Sequence, residues 1–119
     1  MIVLALTAAL LILPGGQPAQ PTAFDAFACK GLGNRLADRL AEAAKAAGDP
    51  TMERDSLAAR VVAEAADEWI KTKTREGRLD AQTLADVNAR MGPHLQAVIA
   101  RGNDGVYAEI ERCAVLFIS

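Results

Sequence analysis

Two cysteines, a single histidine and a group of carboxylates are the residues of this chain that could carry chemistry. Cys29 and Cys113 lie near opposite ends of its 119 residues, and His94 is the only histidine. A catalytic dyad or a zinc site would need His94 to meet a cysteine or a carboxylate from a distant part of the chain. The sequence contains no C-x-x-C pair, no phosphate-binding glycine loop and no complete calcium loop. We therefore expect a protein that is not an enzyme and has no metal site and no cofactor.

The densest group of carboxylates lies at positions 64, 67 and 68, with Lys71 and Arg75 on the same flank. Carboxylates at this spacing could bind a cation. Basic side chains about one helical turn away instead favour a solvated face of ion pairs, each worth a few tenths of a kcal/mol.

The first residues of the chain indicate the cellular compartment in which the two cysteines are found. Residues 2–13 are apolar except for Thr7, and a proline and two glycines follow at 14–16. This run is shorter than the roughly 20 residues that cross a bilayer core of about 30 Å, but it has the length of the apolar part of an export signal. We expect a signal peptide over residues 1–23, cleaved after Ala23, and a periplasmic or secreted bacterial protein. The alternatives are an uncleaved N-terminal membrane anchor and a buried helix of the mature fold.

In an oxidising compartment, we expect Cys29 and Cys113 to form a structural disulfide, whereas in the cytosol they would be two buried thiols. The bond would link residues 84 positions apart. A loop of that length contributes about 4 kcal/mol in the chain-entropy model. This is a large share of the net stability of one small domain, which we place at residues 24–119.

The composition favours helices and excludes some classes of partner. Apolar residues make up 51% of the chain but aromatic residues only 4%, so alanine, the best helix former, fills much of the apolar fraction. The formal charge is −2, with acidic and basic residues interspersed. No basic face for nucleic acid and no polybasic patch for a membrane surface is therefore expected.

Apolar periodicity and capping residues predict four helices and no strand. The helices cover approximately residues 25–47, 49–75, 80–101 and 104–118. Aspartates at positions 49, 80 and 104 are placed to cap the last three helices, and Pro50 suits a first helical position. In the third helix the apolar stripe continues in phase through Gly92 and Pro93, which predicts one kinked helix rather than two.

Two of the predicted helices raise specific questions of packing. Gly31 and Gly33 are unfavourable inside the first helix, so either the helix restarts at Asn34 or the glycines permit close packing on a neighbour. The predicted inner faces of the second and fourth helices are Leu57, Val61, Val62, Ala65, Ala66, Trp69 and Ile70, and Val106, Ile110, Cys113 and Phe117.

Four helices with short turns predict an all-α, up-down-up-down bundle. An even number of helices brings the start of the first and the end of the fourth to the same end of the bundle, which is where a bond between Cys29 and Cys113 requires them. An odd number would usually leave the two cysteines most of a helix length apart.

The expected function is a non-enzymatic envelope interaction or stress-protection module. The alternative is a bundle that holds a small apolar ligand between its helices, with the Gly92–Pro93 bend opening the cavity. The positions at which we expect contact with a protein partner or ligand are Trp69, Met91 and His94. Trp69 is most simply interpreted as a core anchor at helical spacing, and for His94 the simplest alternative is a partly exposed, structural role. No nucleic acid partner and no stable membrane insertion after cleavage are expected.

Overall fold

A computed structural model describes residues 20–118, which form four helices without a strand. The helices are α1 Ala23–Ala47, α2 Pro50–Arg75, α3 Ala81–Ala100 and α4 Asn103–Phe117. The predicted all-α four-helix bundle is confirmed. Apart from residues 20–23, the predicted signal peptide lies outside the described residues. None of the helices in the described part of the chain is long and apolar enough to cross a membrane.

Two of the three predicted aspartate caps are confirmed. Asp49 accepts a hydrogen bond from the amide of Thr51 at 2.9 Å, and Asp80 accepts one from the amide of Thr83 at 2.8 Å. The cap predicted at Asp104 is wrong, because α4 begins at Asn103 and its N-cap is Gly102, two residues before Asp104, with φ of 83°. Only glycine adopts this backbone conformation readily, so the turn itself sets the start of α4.

The start of α1 carries a capping box that the sequence analysis did not identify. The Asp25 amide donates to Thr22 Oγ1 at 3.1 Å, and the Thr22 amide donates back to Asp25 Oδ2 at 3.0 Å. This reciprocal pair satisfies two amides that a helix start otherwise leaves open. Cleavage after Ala23 would remove Thr22 and with it the cap, and the cleavage position stays a prediction.

The helices α1 and α2 run antiparallel and approach closely at Gly33. A Cβ atom on Gly33 would lie 3.0 Å from both the Ala59 carbonyl oxygen and Ala63 Cβ. Nearby, the buried Ser56 hydroxyl donates to the Ala37 carbonyl at 2.7 Å. The prediction that the glycines permit close packing is therefore confirmed for Gly33. The alternative of a restart at Asn34 is wrong, since α1 is continuous.

One compact core joins all four helices around the disulfide. Its buried members are Cys29, Leu32, Val62, Ala66, Val98, Ile110 and Cys113, with Leu36, Leu95, Val106, Ala114 and Phe117 packed against them. The predicted inner face of α4 is thus confirmed. For α2 the prediction is partly wrong, because Leu57 and Val61 are 64% and 52% exposed. The helix instead buries its small residues against α1, as close approach requires.

The bond between Cys29 and Cys113 is present, with both residues fully buried and their Cα atoms 5.7 Å apart. It ties the first turns of α1 to the second half of α4, so the predicted meeting of these two segments is confirmed. The helix α1 contacts each of the other three, whereas no close approach joins α2 and α3 within residues 20–118.

The third helix continues through Gly92 and Pro93 as a single element, as its apolar phase predicted. Pro93 is exposed, while Val87 and Val98 on either side of it are buried. Pro93 has no N–H to donate to the carbonyl of Ala89, one turn earlier. Ala89 is also exposed, so water can reach that carbonyl, which lowers the cost of interrupting the helix. The bend expected at this point stays a prediction.

Alanine substitutions at the two glycines of α1 provide a matched test of the packing. Gly31 has open space around it, so Gly31→Ala should raise the free energy of unfolding by about 0.5–1 kcal/mol through helix propensity. Gly33→Ala must push α2 away, and we expect it to cost about 1–3 kcal/mol. Urea denaturation followed by circular dichroism measures both. Equal stabilisation by the two substitutions would contradict the close approach at Gly33.

Candidate functional site

A cluster of charged side chains joins three helices beside the disulfide, and we call it the Glu109 cluster. Its members are Asp25 on α1, His94 on α3, and Glu109 and Arg112 on α4. Arg112 donates to Glu109 Oε2 through Nη2 at 2.7 Å and through Nε at 3.2 Å. The same Nη2 lies 3.4 Å from Asp25 Oδ1, and His94 Nε2 lies 3.5 Å from Glu109 Oε2. Arg112 and Glu109 thus link α4 to both α1 and α3.

Glu109 is the most buried charged residue of the cluster, with only 9% of its side chain exposed. The hydrogen bonds from Arg112 lower its pKa, although burial acts in the opposite direction. The positive charges of Arg112 and Arg101 lower this pKa further, as does His94 when it is protonated. In return, the Glu109 carboxylate raises the pKa of Arg112. Glu109 is therefore ionised in the folded protein at neutral pH, and its charge is compensated from two helices.

His94 has a partner that the sequence analysis missed. We expected no acid or base near it, whereas Glu109 comes from the next helix, 15 positions along the chain. Nε2 of His94 is buried and has no hydrogen-bond partner within the described residues. The ring lies edge-on to Phe24, with centroids 5.0 Å apart, and the Arg90 guanidinium lies 4.2 Å from the centroid of the same Phe24 ring. The prediction that His94 is partly exposed is confirmed.

The Glu109 cluster is better suited to holding helices together than to proton transfer. The guanidinium of Arg112 occupies the carboxylate oxygen that faces His94, so that oxygen is not available as a free base. Within residues 20–118, no three or more His, Cys, Asp or Glu side chains are grouped as metal ligands. The arrangement supports a structural and electrostatic role.

Trp69 lines a separate cleft of about 390 Å³ at the start of α1. The Trp69 ring packs edge-on against Phe117, with centroids 6.2 Å apart, and Lys73 Nζ lies 5.5 Å from its centroid. Leu79 and Arg78 also line this cleft. Glu76 lies 3.4 Å from Lys73 and 3.6 Å from Arg78, so one carboxylate faces two cations.

The three predicted contact residues therefore lie in different surroundings. Trp69 contacts Phe117 and Lys73, whereas His94 contacts Phe24 and Glu109. Met91 is half-buried on α3, three residues before His94. The roles of all three as ligand or partner contacts stay predictions.

The predicted ion-pair face of α2 is confirmed in part, because Asp67, Glu68 and Lys71 form ion pairs whereas Glu64 and Arg75 form none within residues 20–118. Lys71 Nζ lies 3.2 Å from Asp67 and 3.8 Å from Glu68. Lys30 of α1 adds a contact to Asp67 at 2.9 Å, which extends the face across two helices. Hydrogen bonds from Lys30 and then Lys71 lower the pKa of Asp67.

Comparison with protein-family models, with curated proteins and with solved structures finds no match to this chain. Its function must therefore be argued from the geometry of its own side chains. Two places offer such geometry: the Glu109 cluster and the cleft beside Trp69.

Removing the charge of Glu109 should change how stability depends on pH. Because the folded pKa of Glu109 lies below its ordinary value of 4.5, its contribution is complete above that value and is lost as the pH falls through the folded pKa. We expect Glu109→Gln to cost about 1–3 kcal/mol at pH 7 and progressively less in acid. Urea denaturation over a pH series measures this difference.

The matched control is Glu111→Gln, which removes an exposed carboxylate from the same helix. It should leave stability within about 0.5 kcal/mol at each pH. If both variants gave the same pH profile, Glu109 would have no special role in holding the helices together.

Proposed function

We propose that this chain is a non-enzymatic stress-protection module of an oxidising envelope compartment, which loosens in acid while its disulfide remains intact. The observation that carries the proposal is the position of Glu109. One buried carboxylate holds α3 and α4 together and, through Arg112, also connects to α1. Acid removes the charge of such a group without affecting the nearby disulfide.

The cluster contains the groups that decide its response to acid. Glu109 is faced by Arg112 on its own helix, by His94 on α3 and by Arg101, which caps the end of α3. Asp25 on α1 connects to it through Arg112. When Glu109 takes up a proton, the Arg112 charge loses its main partner in a partly buried place. The cost of an uncompensated charge favours loosening of the contact between α3 and α4.

Two further carboxylates favour loosening in the same pH range. Asp67 links α2 to Lys30 of α1, and Asp80 caps α3 by accepting from the Thr83 amide. The hydrogen bonds to each of them lower its pKa, so the stability that they contribute is also lost as the pH falls below the ordinary carboxyl value. Protonation thus weakens the contacts of three helices together.

The disulfide limits how far the chain can open. It keeps α1 beside α4, so an acid state would expose core side chains such as Val62, Val98 and Ile110 without full unfolding. Compact acid states of this kind bind apolar dyes. Exposed apolar surface on a covalently restrained bundle is suited to holding other proteins that unfold in acid.

The compartment is part of the proposal. A disulfide persists in oxidising surroundings, which supports the periplasm or the extracellular space rather than the cytosol. The apolar run at residues 2–13, outside the described residues, supports export by the length of a signal segment.

The proposal predicts a rise in apolar dye binding as the pH falls from 7 to about 3, where most carboxylates are protonated. Over the same range the protein should suppress the aggregation of an unrelated acid-sensitive protein, followed by light scattering. Glu109→Gln should shift the dye-binding midpoint to higher pH, and Glu111→Gln should not.

A variant without the disulfide separates protection from simple unfolding. Cys29→Ala with Cys113→Ala should unfold fully in acid and protect less well, because it lacks the restraint on α1 and α4. No dye binding down to about pH 3, or dye binding without any protection of the second protein, would overturn the proposed function.

The cleft beside Trp69 supports a second candidate function, the binding of a small ligand with an apolar body. Residues 20–23 also line this cleft, so this function requires a chain that keeps them, whereas cleavage after Ala23 would remove them. The indole and Leu79 offer apolar contact, and the two cations at Lys73 and Arg78 outnumber the single carboxylate of Glu76. A medium-chain fatty acid has the matching chemistry, an apolar chain that ends in one negative charge. This cleft is lined by residues other than the Gly92–Pro93 bend at which the sequence analysis expected a cavity.

Trp69 is the only tryptophan, so its fluorescence reports on this cleft directly. Titration with decanoate below its micellar concentration should give a saturable change in Trp69 emission. Lys73→Met should weaken binding about tenfold by removing a charged contact, whereas Lys71→Met, on the exposed side of the same helix, should not. A change that does not saturate, or that both variants affect equally, would contradict this candidate function.

A further inference from the structure

The outward face of α2 carries two exposed apolar side chains between two opposite charges, and we call these four residues the α2 outer stripe. It consists of Arg54, Leu57, Val61 and Glu64, all of them exposed. Leu57 and Val61 are 64% and 52% exposed although they lie in the middle of a long helix. Burial of the opposite face against α1 leaves this stripe on the outside of the bundle. Arg54 and Glu64 form no ion pair within residues 20–118.

The spacing of the stripe is symmetric along the helix. Leu57 and Val61 lie at equal distances on either side of position 59, and so do Arg54 and Glu64. In a twofold-symmetric pair of antiparallel helices centred on position 59, residues at equal distances from the centre come opposite one another. Leu57 then meets Val61 of the partner subunit, and Arg54 meets Glu64 of the partner subunit, twice in each pair.

We propose that the α2 outer stripe is a self-association surface, on which two copies of this chain pair through antiparallel α2 helices. The contact closes two Arg54–Glu64 ion pairs around a centre of two leucines and two valines. Charge complementarity specifies a second copy, because the same stripe supplies both the arginine and the glutamate. A parallel pairing would instead set Arg54 against Arg54 and Glu64 against Glu64, which is unfavourable.

The charges that flank the stripe are compatible with this register. Glu53 comes opposite Ala65 of the partner subunit, and Glu68 comes opposite Pro50 of the partner subunit. No two like charges along this face are brought together. A shift by one helical turn would set Arg54 either opposite Glu68, which already pairs with Lys71, or opposite Arg60. In both cases Glu64 would lie opposite an uncharged residue, so the register centred on position 59 is favoured.

The α2 outer stripe is short, and its small area limits the expected affinity of the dimer. A contact over about three turns of one helix from each copy buries less than the roughly 1,000 Å² that stable interfaces exceed. We therefore expect a reversible dimer with a dissociation constant on the order of 10–100 µM rather than a permanent one. This proposal does not depend on the proposed function, since it involves neither the Glu109 cluster nor pH.

Sedimentation equilibrium of the intact, oxidised protein at neutral pH tests the proposal. The weight-average mass should rise from one copy towards two as the concentration passes from about 1 µM to about 1 mM. Arg54→Glu and Glu64→Arg should each raise the dissociation constant about tenfold, because each places like charges opposite one another. The double variant, Arg54→Glu with Glu64→Arg, restores both ion pairs in reversed order and should return the constant to within about threefold of the original.

Two controls keep the outcome specific. Arg39→Glu makes the same change of net charge as Arg54→Glu, but at an exposed site on α1, and should leave the dissociation constant unchanged. Circular dichroism of each variant confirms that it is folded. A protein that stays monomeric at about 1 mM, or a dimer that the single charge reversals do not weaken, would overturn the proposal, as would a double variant that does not restore association.

Discussion

The close contact of α1 and α2 at Gly33 is the constraint on which the rest of this bundle depends. Only a hydrogen atom fits between the α1 backbone and the Ala59–Ala63 turn of α2. Two long helices can approach this closely only if the residues between them are small, which explains a core that is rich in alanine and poor in aromatic residues. The same contact decides how α2 is rotated about its axis. Leu57 and Val61 are left outside because Ser56, Ala59 and Ala63 must lie inside.

Two links of different chemistry hold α4 to the start of α1. The bond between Cys29 and Cys113 does not respond to pH, whereas the contact between Arg112 and Asp25 depends on charge. Glu109 extends the charged link to α3, which has no cysteine. In acid the two links therefore behave differently: α4 stays attached to α1, and α3 loses a restraint. Under the proposed function, α3 is therefore the helix that acid loosens.

Most features that depend on neighbours along the chain could be predicted from the sequence, although the Thr22–Asp25 capping box was missed and the cap at Asp104 was wrong. Asp49, Pro50 and Asp80 determine where helices begin through contacts within one helical turn. The apolar stripe that continues in phase through Pro93 indicates one continuous helix. Features that depend on pairing between helices could not be predicted in the same way. The apolar residues of α2 cover more than half of its circumference, so its sequence does not say which part of this surface is buried. The prediction favoured the large side chains of Leu57 and Val61 over the small side chains that are buried in the structure.

The Glu109 cluster was missed for a related reason, although one signal was available. Glu109 is four residues before Cys113 and three after Val106, so it borders the predicted inner face of α4. A carboxylate in that position needs a compensating charge, and Arg112 lies three residues further along. The pairing with His94 follows only from how α3 and α4 pack, because 15 positions and a turn separate the two residues.

The position of the disulfide also determines what a single break in the backbone would do to this molecule. All three turns between helices lie between Cys29 and Cys113, inside one covalent ring that spans 84 positions. A protease that cut the exposed turn near Gly77 or Gly102 would leave two fragments joined through sulfur. The nicked protein would keep its mass, apart from one added water, until it was reduced. In a compartment rich in proteases, a damaged copy would remain one molecule with its helices in place.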